Sequence, residues 1–151
     1  MALAETIRND LEQALRQKDK LKCSTLRMLL SSIHNLEIEQ HKPVDDQGVI
    51  VVLDREANKR RESIEAFEKG NRQDLVAQEK AELEILLGYM PEQMSREEVA
   101  EFVRRAIAEL GASGPGDKGK LMSQIMPQLK GRAQGREINA IVTELLSGNQ
   151  A

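Results

Sequence analysis

The segment from Gly119 to Gly135 carries the residue types best suited to binding chemistry, and it reads GKLMSQIMPQLKGRAQG. Its three glycines, Gly119, Gly131 and Gly135, allow backbone N–H groups to approach a ligand closely. The five cations in or beside it are Lys118, Lys120, Lys130, Arg132 and Arg136. Cations at this density suit a polyanion. The pattern predicts a phosphate-binding segment, with helix-end glycines and ordinary surface cations as the alternative interpretation.

Candidate catalytic groups elsewhere do not form a recognisable set. Cys23, the single cysteine, lies among apolar positions and is interpreted as a structural thiol, because a nucleophile needs an activating base. The run Gly114–Lys120 differs from a phosphate loop, since Leu121 stands where Ser or Thr should follow the lysine. The sequence therefore predicts no catalytic residue and no cofactor for this chain alone.

Metal-binding chemistry is not predicted either. His34 and His41 are about two helical turns apart, too far to share one metal ion without further ligands. Three carboxylates in the fourth helix are expected to form a solvated face: Glu79, Glu82 and Glu84. The histidines are expected to be polar residues near a helix end.

The elements that must position these residues are predicted to be helices. Leu, Ile, Met, Ala, Glu, Lys, Gln and Arg dominate, and aromatics make up only 2% of the chain. Apolar residues recur at helical spacing in seven segments, four long ones before residues 90–94 and three short ones after. The predicted fold is all-α, with an N-terminal antiparallel helical bundle (residues 1–92) and a small three-helix domain (residues 93–151).

Several local signals indicate where these helices begin and end. Asp19, Asp45 and Asn71 are expected to cap the second, third and fourth helices. Ser95 and Glu98 form the pattern of a capping box at the start of the fifth helix. Arg60 falls on or beside the apolar stripe of the third helix.

The net charge of −3 hides a difference between the two parts of the chain. Residues 1–92 carry 14 Lys/Arg and 18 Asp/Glu, a net of −4, whereas residues 93–151 carry 8 and 7, a net of +1. The N-terminus lacks the features of a signal peptide, and no apolar run approaches about 20 residues. We expect a cytoplasmic protein that does not contact membranes.

Four blocks of the chain together resemble the GatB/YqeY family from end to end. They are LKCSTLRMLLSSI, KRRESIEAFEKGNRQDL, ELEILLGYMPEQMSREEV and GKLMSQIMPQLKGRAQGREINAIV. The resemblance is to YqeY-like proteins and to the tail region of the B subunit of tRNA-dependent Glu/Asp amidotransferase. It implies an all-α fold whose three-helix tail-like domain lies at the C-terminus, and the amidotransferase tail helps to hold tRNA.

The resemblance implies tRNA as a partner, together with an amidotransferase or another tRNA enzyme. The five cations would contact phosphates, and Gly119, Gly131 and Gly135 would allow close approach. The alternative is a protein-interaction adaptor whose acidic N-terminal helices dock a partner. A third reading is carbon–nitrogen ligase activity with glutamine as amido-N-donor. That label better describes the larger enzyme, whose catalytic domains this chain lacks.

Overall fold

A computed structural model describes residues 2–148 and shows an all-α chain that forms two compact units, residues 1–90 and 91–151. The N-terminal unit contains α1 (Leu3–Gln17), α2 (Lys20–Gln40), α3 (Asp46–Lys69) and α4 (Gln73–Leu87). The C-terminal unit contains α5 (Arg96–Leu110), a 3₁₀ turn (Pro115–Asp117), α6 (Lys118–Leu129) and α7 (Gly135–Leu146). No β-strand occurs in the described residues, and none of their helices is long and apolar enough to cross a membrane.

The N-terminal unit is built from two helix pairs, α1 with α2 and α3 with α4. The side chains of Asp19 and Asp45 accept hydrogen bonds from the backbone N–H of Lys22 and Gly48, which confirms both predicted caps. The prediction for Asn71 is wrong, because this residue adopts a left-handed conformation (φ 55°) one position before the true N-cap, Arg72.

The core of the N-terminal unit joins all four helices. Its fully buried aliphatic side chains come from α1 (Ile7), α2 (Leu26, Leu29, Ile33), α3 (Val49, Val52, Leu53) and α4 (Leu86). Each helix presents one apolar stripe to the others, as the 3.6-residue spacing of the sequence predicts. Burial of these stripes accounts for the assembly of helices whose outward faces are charged.

The C-terminal unit has a hydrophobic core of its own, formed by α5, α6 and α7. The Ser95 hydroxyl accepts from the Glu98 N–H at 3.2 Å and the Glu98 carboxylate accepts from the Ser95 N–H at 3.4 Å, which confirms the capping box. Gly111 ends α5 in the left-handed conformation, with φ of 72°. The buried side chains of this core lie on α5 (Val99, Val103), α6 (Leu121, Ile125, Leu129) and α7 (Ile138, Ile141, Val142, Leu146).

Candidate RNA-binding surface

The connection between α6 and α7, residues 130–134 and here called the α6–α7 turn, has a fixed geometry. Gly131 is buried and has φ of 81°, a conformation in which a Cβ atom is strained. Its carbonyl accepts from Gln93 Nε2 at 2.7 Å, and the Arg132 carbonyl accepts from the Met94 N–H at 2.8 Å. Arg132 Nε in turn donates to the Glu92 carbonyl at 3.2 Å. The turn is therefore held against the segment that precedes α5.

Three of the predicted cations lie at this turn. Lys130 is exposed, Arg132 is half-buried, and Arg136 is exposed in the first turn of α7. Within the described part of the chain, none of the three forms an ion pair within 4.0 Å, whereas Arg96 pairs with Glu144 at 3.3 Å and Arg105 with Glu101 at 3.4 Å. Two of these charges lie on the hydrogen-bonded turn and the third lies in the first turn of α7, and no carboxylate of the described chain neutralises them through an ion pair.

The other two predicted cations lie at the opposite end of α6. Lys118 and Lys120 are in its first turn, and twelve residues at roughly 1.5 Å each place Lys118 about 18 Å from Lys130 along the helix axis. Cations at a helix N-terminus oppose the helix dipole, and no acidic residue occupies that turn. The structure thus divides the five cations into two groups, which the sequence interpretation treated as one patch.

Asp117, which directly precedes the first lysine, is used by the 3₁₀ turn. Its carboxylate accepts from the Ser113 N–H at 2.9 Å, and this hydrogen bond is the main reason why the pKa of Asp117 is lowered. The coulombic effect of Lys120 contributes less to the same shift. The run from Gly114 to Lys120 is therefore a hydrogen-bonded turn followed by a helix start.

The three predicted glycines differ in what the backbone requires of them. Only Gly131 has a positive φ. Gly119 lies in the first turn of α6 and Gly135 is the first residue of α7, and a Cβ atom added to either would meet no heavy atom within 4 Å. Their lack of a side chain is therefore not explained by packing inside the described structure.

The remaining candidate residues from the sequence, Cys23, His34 and His41, lie where a structural role accounts for them. Cys23 is 7% exposed in α2, and its thiol contacts no histidine or carboxylate through a hydrogen bond in the described residues. The exposed imidazole of His34 lies 4.0 Å from the Glu37 carboxylate, and His41 adopts the left-handed conformation that ends α2. No group of three or more His, Cys, Asp or Glu side chains within residues 2–148 is arranged to hold a metal ion.

The expectation of a solvated face for Glu79 and Glu82 is wrong. Arg60 of α3 is buried, with 8% of its side chain exposed, and its Nε lies 3.0 Å from Glu82 Oε2 and 3.7 Å from Glu79 Oε2. Its Nη1 lies 3.4 Å from Glu56 Oε2. Desolvation and the neighbouring Glu82 raise the pKa of Glu79, while Arg60 lowers it. We call these four residues the Arg60 cluster.

The signal for this cluster was present in the sequence but incomplete. Glu56 and Arg60 are four residues apart on the apolar stripe of α3, and charged residues there must find partners when buried. The partners on α4 could not be identified, because they depend on how α3 and α4 pack. Only Glu84 keeps the predicted exposed position.

Comparison with known proteins identifies the relationship of the chain. The family model described as "Yqey-like protein" matches residues 4–146. The chain belongs to the YqeY-like family. This confirms the resemblance carried by the four sequence blocks, and the all-α fold of the two units agrees with it.

The YqeY-like chain is also similar to curated fungal proteins named "Altered inheritance of mitochondria protein 41, mitochondrial". It is 37% identical to the one from Lachancea thermotolerans over 112 residues, which cover 72% of this chain and 60% of the relative. It is 31% identical to the one from Pyrenophora tritici-repentis over 130 residues, covering 85% and 71%. The chain thus spans only part of the relatives it matches.

These names contradict the expected cytoplasmic location. The relatives are designated mitochondrial, whereas the expectation depended on an N-terminus without signal-peptide features and on the lack of a long apolar run in the sequence. Such patterns do not distinguish the cytoplasm from an organelle interior, because both hold proteins without exported or membrane-spanning segments.

Proposed function

We propose that this YqeY-like protein is a non-catalytic helical module that binds structured RNA of the tRNA class beside an amidotransferase or another tRNA enzyme. The observation that carries the proposal is a group of three cations without ion pairs in the described chain: Lys130 and Arg132 on the hydrogen-bonded α6–α7 turn, and Arg136 in the first turn of α7. The hydrogen bonds of the turn hold the backbone from which Lys130 and Arg132 project, so the main chain there loses little conformational entropy when phosphates bind.

Two further features support recognition of the phosphates and the shape of a folded RNA. Gln134 caps α7 without a side-chain hydrogen bond, so N–H groups of the first turn add positive potential beside Arg136, while Glu137 in the same turn is 3.9 Å from Arg96. Phe102, the single aromatic residue of the C-terminal unit, packs against the core and is not free to stack on bases. Contacts to the backbone of folded RNA fit this composition better than contacts to unstacked single strands.

The test is a filter-binding titration of the full chain with bulk tRNA over a range of low salt concentrations. The variant Lys130→Ala/Arg132→Ala/Arg136→Ala should bind at least tenfold more weakly, and the slope of log affinity against log salt should fall by about 2 to 3. Arg105→Ala is the control for the single variant Arg136→Ala, because each removes one cation of the same unit and of the two only Arg105 has an ion-pair partner among the described residues.

The outcomes separate the proposal from its alternatives. Failure of the unaltered chain to bind tRNA, or an equal effect of Arg105→Ala and Arg136→Ala, contradicts it. The readings of a glutamine-dependent ligase and of an adaptor remain alternatives. A ligase predicts ammonia release from glutamine that is lost in Cys23→Ser, although no base lies in hydrogen-bonding contact with that thiol in the described structure.

A further inference from the structure

A group of positive charges in the N-terminal unit lies at the junction of α1 and α2. Residues 16–27 contain five cations and one acid, whereas the rest of residues 1–90 contain nine cations and sixteen acids. The five are Arg16, Lys18, Lys20, Lys22 and Arg27. None forms an ion pair within 4.0 Å with a described residue, although this unit is rich in carboxylates elsewhere.

The same junction contains an open groove with apolar walls, of about 390 Å³. Leu15 and Met28, which are 47% and 51% exposed, are two of the three large hydrophobic side chains most exposed in the described chain. Cys23 also lines the groove. Lys18, Lys20 and Arg27 are among its other lining residues. Apolar surface beside charges of one sign is typical of a binding surface rather than of a solvated face.

The geometry of α2 indicates what shape the groove accepts. The residues of α2 that line the groove are at positions 20, 23, 24, 27 and 28. They have the i, i+3, i+4, i+7, i+8 spacing of a single helical stripe. This stripe extends along roughly 12 Å of the helix. A stripe of that form matches the ridge of another helix, whose apolar residues repeat at the same spacing.

We propose that this groove, here called the α1–α2 groove, docks an acidic amphipathic helix of a protein partner. Leucine-type side chains of the partner would cover Leu15 and Met28, and its carboxylates would pair with Lys18, Lys20 and Arg27. RNA is the less favoured occupant, since phosphates do not cover apolar side chains. An anionic membrane is also less favoured, because the apolar residues line a groove.

The experiment is fluorescence anisotropy with a labelled probe peptide of about 18 residues, five helical turns, that has Leu at helical spacing and Glu elsewhere. The comparison probe has Lys in place of every Glu. The test variant is Lys18→Glu/Lys20→Glu/Arg27→Glu in the full chain. The control variant is Lys42→Glu/Arg55→Glu/Lys69→Glu, which has the same net charge and changes three exposed cations of the same unit outside the groove.

We expect the acidic probe to bind and the basic probe not to bind. The groove variant should bind at least tenfold more weakly, and the control variant should stay within about twofold, because close ion pairs are lost only in the former. Leu15→Ser should weaken binding severalfold through the loss of apolar contact. Circular dichroism of each variant checks that the helices persist.

Three results would overturn the proposal. The first is no anisotropy change with the acidic probe at millimolar concentration, and the second is equal weakening by the groove and control variants. The third is binding of bulk tRNA, or of phosphatidylglycerol vesicles, that the groove variant abolishes while the acidic peptide fails to bind. That result would assign the surface to a nucleic acid or to a membrane.

Discussion

Replacement of Arg60 by Met tests whether the Arg60 cluster organises the packing of α3 against α4. The guanidinium faces Glu56 on its own helix and Glu79 and Glu82 on α4, at 3.0 to 3.7 Å. Met has a similar length and no charge, so the volume of the site is nearly kept. The substitution leaves three carboxylates near one another, with Lys59 as the remaining cation at 3.4 Å from Glu56.

The expected loss is about 2 to 3 kcal/mol in the free energy of unfolding at neutral pH. Removing one partner of a buried ion pair costs about 3 to 5 kcal/mol. The loss expected here is smaller than that range because the Lys59 ammonium and part of Glu79 reach solvent, and water screens the charges on that side of the Arg60 cluster. The Ser32 hydroxyl donates to Glu56 at 3.0 Å, and this hydrogen bond also stabilises the Glu56 carboxylate in the variant.

The loss should also depend on pH in a definite direction. The folded-state pKa of Glu79 is raised, so the folded chain binds more protons than the unfolded chain just above the ordinary value of 4.5. Stability therefore falls as pH rises through that window. Arg60 is the group that lowers this pKa, so Arg60→Met raises it further. The free energy of unfolding that Arg60→Met loses relative to the unaltered chain should therefore become smaller as pH falls from about 7.5 to about 5.

Urea denaturation followed by circular dichroism at both pH values measures these effects. Arg61→Met is the control: Arg61 is the next residue of α3, and its Nη1 donates to Asn58 at 2.9 Å, which is worth about 1 kcal/mol. A loss for Arg60→Met no larger than that of Arg61→Met would refute the reasoning. So would a deficit that grows as the pH falls.

Four smaller perturbations have equally definite outcomes in the same denaturation assay. Gly119→Ala should stabilise α6 by up to about 1 kcal/mol and Gly131→Ala should destabilise by about 1 to 2 kcal/mol, because only the latter has a positive φ. Tyr89→Phe should cost about 1 kcal/mol, since the phenol then no longer donates to the Asp10 carboxylate. Ser95→Ala should cost about 1 kcal/mol by removing the capping box. Unchanged unfolding midpoints would contradict each in turn.

Gly119→Ala also separates structure from binding. The substitution meets no heavy atom within 4 Å, so the helix accepts it. If backbone N–H groups at this end of α6 approach phosphates closely, the more stable variant should nevertheless bind tRNA less well. Unchanged affinity would leave Lys118 and Lys120 as the only contribution of this end to RNA binding.

The helices and most of their ends could be predicted from the sequence because the signals are local. The apolar stripes follow the helical period, and Asp19, Asp45 and the pair Ser95 and Glu98 satisfy N–H groups within three residues of themselves. The prediction for Asn71 is wrong because Asn is favoured both at N-caps and in the left-handed region, and Asn71 adopts the latter. Which one it adopts depends on the turn that Gly70 and Arg72 make.

The ion pairs could not be predicted, because they depend on contacts between residues distant in the sequence. Arg60 and Glu82 lie on different helices, so helical spacing can place Glu82 on the face of Leu86 but cannot identify Arg60 as its partner. The division of the five C-terminal cations into two groups has a different, local origin. The length of α6 separates Lys118 and Lys120 from the three cations at the α6–α7 turn.

The distribution of unpaired charge gives the strongest physical reason to look for partners outside the chain. In a protein with net charge −3, a cation lowers the electrostatic free energy by lying near a carboxylate, and Arg60, Arg72 and Arg96 do so. The cations at the α6–α7 turn, and in the other unit those of the α1–α2 groove, form no ion pair with a described residue. A bound polyanion or acidic helix would supply the missing negative charge. Acidic composition therefore does not argue against anionic partners, because the overall charge averages over surfaces of opposite sign.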